Sequence, residues 1–407
     1  MSLSLAHTSP QAQTPGQPPA DAPMWSGVWQ GTVGRADMRL CLQAQQEPGE
    51  DVAGTYYYSR YLRLIPLSAA GDPTADGRKV VLHELMPSKA KPGAGQKTPT
   101  KDETVVWQLQ ASADGEGLAG TWRSNAKSLP VQLSRVRLEK PKNGADGSLF
   151  SPCESDAFNL PREKPAKVVS TEVKLKATGA TYQRLTLDFE GRQDARIQHF
   201  ELLRTDAAAQ KFNARQRQAL QSDQSALFEC GRAVIARWGL GGDYNTMSEP
   251  VFMGQRWLVV KRQSDDYCGG AHPNAYVGYE TWNLEAGQVV DPWTWFNAKA
   301  ARFKWEGSGQ SRYQTMTMGP MVRQALAKVW PREDEECADV VEEGGAFSWD
   351  AYPSAKGMVF MPQLPHGAMA CQEEVTLPWA QVLPWLSPSG RKTVDALRQE
   401  FSEPPAR

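Results

Sequence analysis

Between Trp25 and Leu138 apolar residues return at every second position in short runs, and Gly, Pro, Asp and Lys break the runs apart. A period of two sends alternate side chains to opposite faces of a strand, so each run reads as a half-buried β-strand. The runs are Trp25–Val33, Met38–Ala44, Val52–Tyr58, Tyr61–Leu67, Val80–Leu85, Val105–Leu109, Leu118–Trp122 and Val131–Leu138; in the second, Met38, Leu40 and Leu42 share one face. About eight strands in one compact stretch predict an all-β antiparallel barrel or sandwich. Val52-Ala53-Gly54-Thr55-Tyr56 and Leu118-Ala119-Gly120-Thr121-Trp122 resemble each other, with Gly31-Thr32 a fainter echo. Glycine beside an aromatic suits a sheet that bends to close, which favours the barrel. Met86–Glu103, with Lys89, Lys91, Lys97 and Lys101, reads as a mobile hairpin loop.

After Leu138 the rhythm changes. Lys140–Lys167 holds four prolines and Cys153 and reads as a linker. Thr181–Glu190 alternates as a strand, and Ala195–Trp238 carries Ile197, Phe200, Leu203, Phe212, Leu220, Leu227, Val234 and Trp238 at helical spacing before Gly241-Gly242 stops it. Phe252–Val260 and Tyr276–Leu284 read as strands, Met321–Trp330 as an amphipathic helix halted by Pro331, and Met358–Met361 and Glu374–Leu377 as closing strands. This is an α+β pattern with a mainly antiparallel sheet. The expected organisation is a disordered leader (1–23), a β-barrel or sandwich domain (24–139), a linker (140–167), an α+β domain (168–390) and a C-terminal tail (391–407).

Several functions are excluded early. The 407 residues carry 45 basic against 46 acidic side chains, so no chain-wide charge draws nucleic acid. No run approaches the roughly 18 apolar residues of a membrane helix, so no integral membrane segment is expected. No H-E-x-x-H, G-x-S-x-G or phosphate-loop motif occurs, and no cofactor is implied. Ser88-x-x-Lys91 and Ser124-x-x-Lys127 are chance matches to S-x-x-K, since neither opens a buried helix. The six cysteines, Cys41, Cys153, Cys230, Cys268, Cys337 and Cys371, are dispersed with no C-x-x-C pair. They read as disulfides of an exported chain, with Cys337–Cys371 the pairing to try first; six buried thiols of a cytosolic protein are the alternative. Met1–Pro23 has no charged n-region and is rich in Pro, Gln, Ala and Thr, as in a leader that follows a cleaved signal. A periplasmic or secreted location is therefore expected.

Tyr267-Cys268-Gly269-Gly270-Ala271-His272-Pro273-Asn274 is followed by Thr281-Trp282-Asn283-Leu284-Glu285-Ala286-Gly287-Gln288-Val289-Val290 and by Trp295-Phe296. This succession resembles the RsiV-like family of extracytoplasmic bacterial domains, the DUF3298 type, with its GGAHP turn, its strand and a short apolar segment ending in Phe. The resemblance spans about Lys164 to Leu386 and includes the final strand and turn Val375–Leu383. It implies a non-catalytic envelope domain. The best understood type is the outer portion of an anti-sigma factor that binds lysozyme, and related copies accompany peptidoglycan deacetylase domains. Binding to a lysozyme-like peptidoglycan hydrolase, or to peptidoglycan itself, is what carries over to a chain without a sigma-binding segment.

Within the motif, Gly269, Gly270 and Pro273 set a tight corner that holds Ala271 and His272. His272 either pins the turn or presents a contact edge with Tyr267, Asn274 and Tyr276, residue types that make adaptable low-entropy contacts. Asp265, Asp266, Cys268 and His272 also invite a thiol or metal mechanism, but Cys268 and His272 share a ligand face only on a helix, which the glycines and Pro273 oppose. A thiol nucleophile would need His199 or His366 as its base. Glu333, Asp334, Glu335 and Glu336, near Cys337, form an acidic stretch able to steer a cationic partner, or simply a solvated loop. Trp293, Trp295, Phe296 and Trp305 offer stacking surfaces or core. The leading expectation is a hydrolase-binding inhibitor, immunity protein or sensor; the alternatives are a glycan-binding accessory module and a cell-wall hydrolase with its site between the domains.

Overall fold

The structure is a computed structural model and describes residues 22–44, 52–70, 77–86, 100–125, 127–138, 151–189, 195–270, 272–308, 311–330, 337 and 348–402. Eight antiparallel strands open the chain: β1 (Gly27–Val33), β2 (Ala36–Leu42), β3 (Gly54–Tyr58), β4 (Ile65–Ala69), β5 (Lys79–Met86), β6 (Thr100–Ala111), β7 (Gly117–Ser124) and β8 (Lys127–Val136). Each pairs with the next, and β8 returns to β1 with Val28 opposite Val136, so the sheet is a closed barrel and leaves no edge. Trp29, Leu40, Leu67, Leu82 and Trp107 fill it. The repeated glycines have a steric origin. A Cβ on Gly31, Gly54 or Gly120 would lie about 2 Å from the carbonyl oxygen of Gln132, Cys41 or Gln108 on the adjoining strand.

Part of the stretch read as a linker is packed against the barrel. A 3₁₀ turn (Pro152–Glu154) and α1 (Asp156–Asn159) dock on the outside of β2 and β3. Cys153 is bonded to Cys41, and Phe158 lies against Tyr57, whose hydroxyl donates to the Phe158 carbonyl at 2.9 Å. Ile235 and Ala236 of the next helix complete this buried seam, and Gln43 donates to the Ala236 carbonyl, tying the two domains together.

The second domain is built on a seven-stranded sheet of order β15-β14-β13-β12-β11-β10-β9, with β9 (Lys167–Lys174), β10 (Thr181–Asp188), β11 (Ala195–Leu202), β12 (Asp243–Met253), β13 (Trp257–Tyr267), β14 (Asn274–Asn283) and β15 (Gln288–Val290). Among the described strands only β11 and β12 run parallel, joined by the long helix α2 (Ala207–Trp238). The expectation of helix from Ala195 is corrected here: Ile197 and Phe200 lie in β11, and the helix starts after Asp206, whose carboxylate caps the Ala209 amide. Gly239, at φ +67°, ends it. The apolar run of β13 is explained by burial on both faces. Leu258 and Val260 meet Phe200 and Phe212 under α2, whereas Trp257 and Val259 join the core on the other side. Burying a side chain such as Phe212 contributes about 2–3 kcal/mol.

That second core is formed by Trp293, Trp295 and Phe296, by α3 (Pro320–Val329), by the small sheet β18 (Ser348–Pro353), β19 (Gly357–Gln363) and β20 (Val375–Pro378), and by two further helices, α4 (Trp379–Val382) and α5 (Pro388–Ser402). A separate hairpin, β16 (Ala301–Glu306) and β17 (Tyr313–Met318), stands beside it. The segment read as a C-terminal tail is thus α5 through Ser402, anchored by Val394 and Leu397. The predicted all-β domain followed by an α+β domain is the architecture found. No described helix is long and apolar enough to cross a membrane.

Candidate functional site

β13 and β14 form a long hairpin in the second domain, paired over ten positions from Trp257–Asn283 to Asp266–Asn274, and the recognisable motif is its tip. Asp266 faces Asn274 across the ladder, and Cys268–Pro273 make the turn. Gly269 sits at φ +87°, where a side chain is strained, so glycine is required there. The tip is fastened to the end of α2 twice. Cys268 is bonded to Cys230, and Arg237 Nη1 donates to the Gly269 carbonyl at 3.0 Å. Gly242 permits this approach: a Cβ there would lie 2.7 Å from the Tyr267 carbonyl oxygen and 3.2 Å from the Cys230 sulfur.

Four of the expected contact residues share this tip. Tyr267 is half-buried, and His272 and Asn274 are exposed. His272 donates through Nδ1 to the Pro273 carbonyl at 2.9 Å, which braces the corner. Asn274 donates to Asp266 at 3.1 Å, and Asn245 of β12 donates to Asp265 at 2.8 Å, so both carboxylates are held in place. Tyr276 is 51% exposed and its ring lies along the strand, because Gly278 has no Cβ to displace it. Burial raises its phenol above the ordinary value, and the Asp350 charge adds to this. Ala271 lies outside the described residues, as do Glu333, Asp334, Glu335 and Glu336. Cys337 is described, and it is bonded to Cys371 as the sequence suggested.

Carboxylates that sequence reasoning did not single out flank β14 on its other side. Asp350 of β18 accepts from the Tyr279 amide at 3.1 Å and from Gln363 at 2.9 Å, while Gln363 also donates to the Val277 carbonyl. These side chains occupy backbone groups of β14 that β15, paired only with Thr281–Asn283, leaves open. Burial holds Asp350 above the usual carboxylate range. Glu374 accepts from the Tyr352 hydroxyl at 2.7 Å and from the Tyr279 hydroxyl, and the two rings stack at 4.0 Å. Asp350 and Glu374 are far from β14 in sequence, and no local spacing announces them.

The groups that a thiol or metal mechanism at this tip would use are engaged otherwise wherever they are described. Cys230, Asp266 and Cys268 offer ligand atoms within 4.8 Å of one another, but both sulfurs belong to one disulfide and neither is a thiolate. His199 is buried in β11, with Nε2 at 2.6 Å from Asp223 and Nδ1 at 3.1 Å from Gln216, so it braces β11 against α2. The side chain of His366 lies outside the described residues. Among the aromatics, Trp293, Trp295 and Phe296 are core; Trp305 is 55% exposed, with the Arg312 guanidinium 4.7 Å from its ring centre. A groove of about 1110 Å³ lies elsewhere, between Leu203, Val251–Gln255 and Pro353–Lys356, with Glu400 and Phe401 at its wall. The Glu400 carboxylate is engaged by the Arg256 amide at 3.1 Å and its guanidinium at 3.4 Å.

No family model and no curated protein matches the chain. It is similar to two solved structures of DUF3298 family proteins. The one from Pseudomonas aeruginosa PAO1 is 12% identical, with 56% of this chain and 97% of that chain covered at a TM-score of 0.32. The one from Bacteroides fragilis is 12% identical, with 58% and 96% covered at 0.29.

Proposed function

We propose that this chain is a non-catalytic envelope protein, periplasmic or secreted, that binds a peptidoglycan hydrolase of lysozyme type as an inhibitor, immunity protein or sensor. The observation that carries the reading is the pinned hairpin tip, where Asp266 stands beside exposed Asn274, Asp265 is held by Asn245 of β12, and exposed Tyr276 follows on β14, all next to a turn fixed by the Cys230–Cys268 disulfide. Rigid Tyr and Asn side chains lose little entropy on binding, and two carboxylates close together in the chain add to the field that steers a basic partner. The resemblance of this segment to the RsiV-like turn supports the lysozyme-type target, and the acidic stretch Glu333–Glu336 adds charge of the same sign. Three disulfides support an oxidising compartment.

The test is a titration of the oxidised protein into a lysis assay with a basic lysozyme. Stoichiometric loss of lysis supports an inhibitor, and binding without loss of lysis supports a sensor. Absence of both refutes the reading. A second reading, docking on peptidoglycan glycan, is favoured by Trp305 and Tyr313, each more than half exposed on β16 and β17. Pelleting with purified sacculi that Trp305→Ala abolishes would support it.

A further inference from the structure

We propose that the barrel binds a small organic ammonium ion at Glu84, a site independent of the hairpin tip. Up-and-down connectivity places the β1–β2, β3–β4, β5–β6 and β7–β8 connections at one end, opposite the end where Gln43 meets α2. Glu84 lies toward that end of β5, where the register with β6 shifts between His83 and Glu84, an irregularity of the kind that re-aims a side chain. Its side chain turns into the barrel toward Tyr56 and Trp107, and the residue is only 9% exposed.

Three neutral donors converge on a single oxygen. Oε1 accepts from the Tyr56 hydroxyl at 2.7 Å, Trp122 Nε1 at 3.0 Å and Trp107 Nε1 at 3.2 Å. Tyr56 packs edge-on against both Trp107 and Tyr58, so four aromatic rings stand around the carboxylate, and of these Tyr58 and Trp122 are only half-buried. Burial and the charge of Glu84 raise the Tyr56 phenol, which keeps it a donor. No basic side chain pairs with Glu84 among the described residues. A carboxylate taken out of water is normally matched by a cation, and a ring of aromatic faces attracts one. An eight-stranded barrel is wide enough for one small ligand near its mouth. A negative charge, aromatic walls and neutral donors on the far oxygen together select an ammonium group over an anion or a neutral sugar.

The test follows the indole N–H resonances of Trp107 and Trp122 in the full-length oxidised protein, assigned with Trp107→Phe and Trp122→Phe, during titration with butylammonium chloride, tetramethylammonium chloride or neutral 1-pentanol. The expected result is a saturable shift of these two resonances with an ammonium ion and none with pentanol, and an affinity at least about tenfold weaker in Glu84→Gln, a loss of about 1.4 kcal/mol. Butylammonium alone would assign a primary amine, and tetramethylammonium a quaternary one. No saturable shift with either ion, an equal response to pentanol, or undiminished binding by Glu84→Gln overturns the proposal. If Glu84→Gln does not fold, Tyr58→Ala, which removes a rim ring that makes no hydrogen bond to Glu84, must weaken binding; unchanged affinity in that variant overturns it.

Discussion

Replacing Cys230 and Cys268 together by alanine cuts the covalent link that holds the hairpin tip to α2. The bond closes a segment of 38 residues, and the loop-entropy relation gives about 13 cal/mol/K, or about 4 kcal/mol at 25 °C. Cys337–Cys371 spans 34 residues, so the same relation gives its removal a cost within roughly 0.1 kcal/mol of that value. The two double variants should therefore lose equal stability if constraint of the unfolded chain dominates. Alanine rather than serine is the right replacement, because Cys230 is buried and a hydroxyl there would need a partner. Urea unfolding followed by circular dichroism measures the loss, and the barrel, which keeps Cys41–Cys153, supplies an internal reference transition. A loss below about 1 kcal/mol for Cys230/Cys268 would refute the entropic argument. A loss far above that of Cys337/Cys371 would mean that the bond mainly relieves a poorly packed native tip.

Gly120→Ala should destabilise the barrel by about 3 kcal/mol, because its Cβ would meet the Gln108 carbonyl oxygen at 1.8 Å, whereas Gly77→Ala, with no atom of the described residues within 4 Å, should be near neutral. Thermal unfolding of the two variants decides this, and equal midpoints would contradict it. For Asp350→Asn the expected signature is pH-dependent. Burial raises the folded-state carboxyl above its ordinary 3.8, so the folded protein holds a proton that the unfolded chain has released. The stability of the wild type relative to Asp350→Asn should fall as pH rises from 3.8 through the raised value and then level off; a rising difference across that window would reverse the assignment.

The barrel was legible in the sequence because both of its causes are local. Alternation marks each strand, and the Gly-Thr repeats mark where strand backbones approach too closely for a side chain. The hairpin tip was legible through its turn residues. What the sequence concealed depends on contacts between distant segments. Ile197 and Phe200 fit a helical spacing as well as a strand, and only pairing of β11 with β10 and β12 decides between them. The packing of Cys153 and Phe158 on the barrel needs Cys41 and Tyr57, more than 100 residues earlier. Val394 and Leu397 read as a tail because the core that buries them is assembled from β18–β20 and Trp293–Phe296. Asp350 and Glu374 reach the site only because the small sheet packs beside β14. Glu84 looked like an ordinary polar residue of a half-buried strand, and its role depends on donors from β3, β6 and β7.

The most direct test of the central claim is calorimetric titration of the oxidised protein with a basic lysozyme-type hydrolase at about 50 and 200 mM salt, where screening lengths differ about twofold. The wild type is compared with the triple variant Asp265→Asn, Asp266→Asn, Tyr276→Ala. The account predicts one-to-one binding that weakens with salt and falls at least about tenfold in the variant, a difference of about 1.4 kcal/mol. Binding that ignores both salt and the variant, or no binding at all, would contradict a hydrolase-binding role for the hairpin tip.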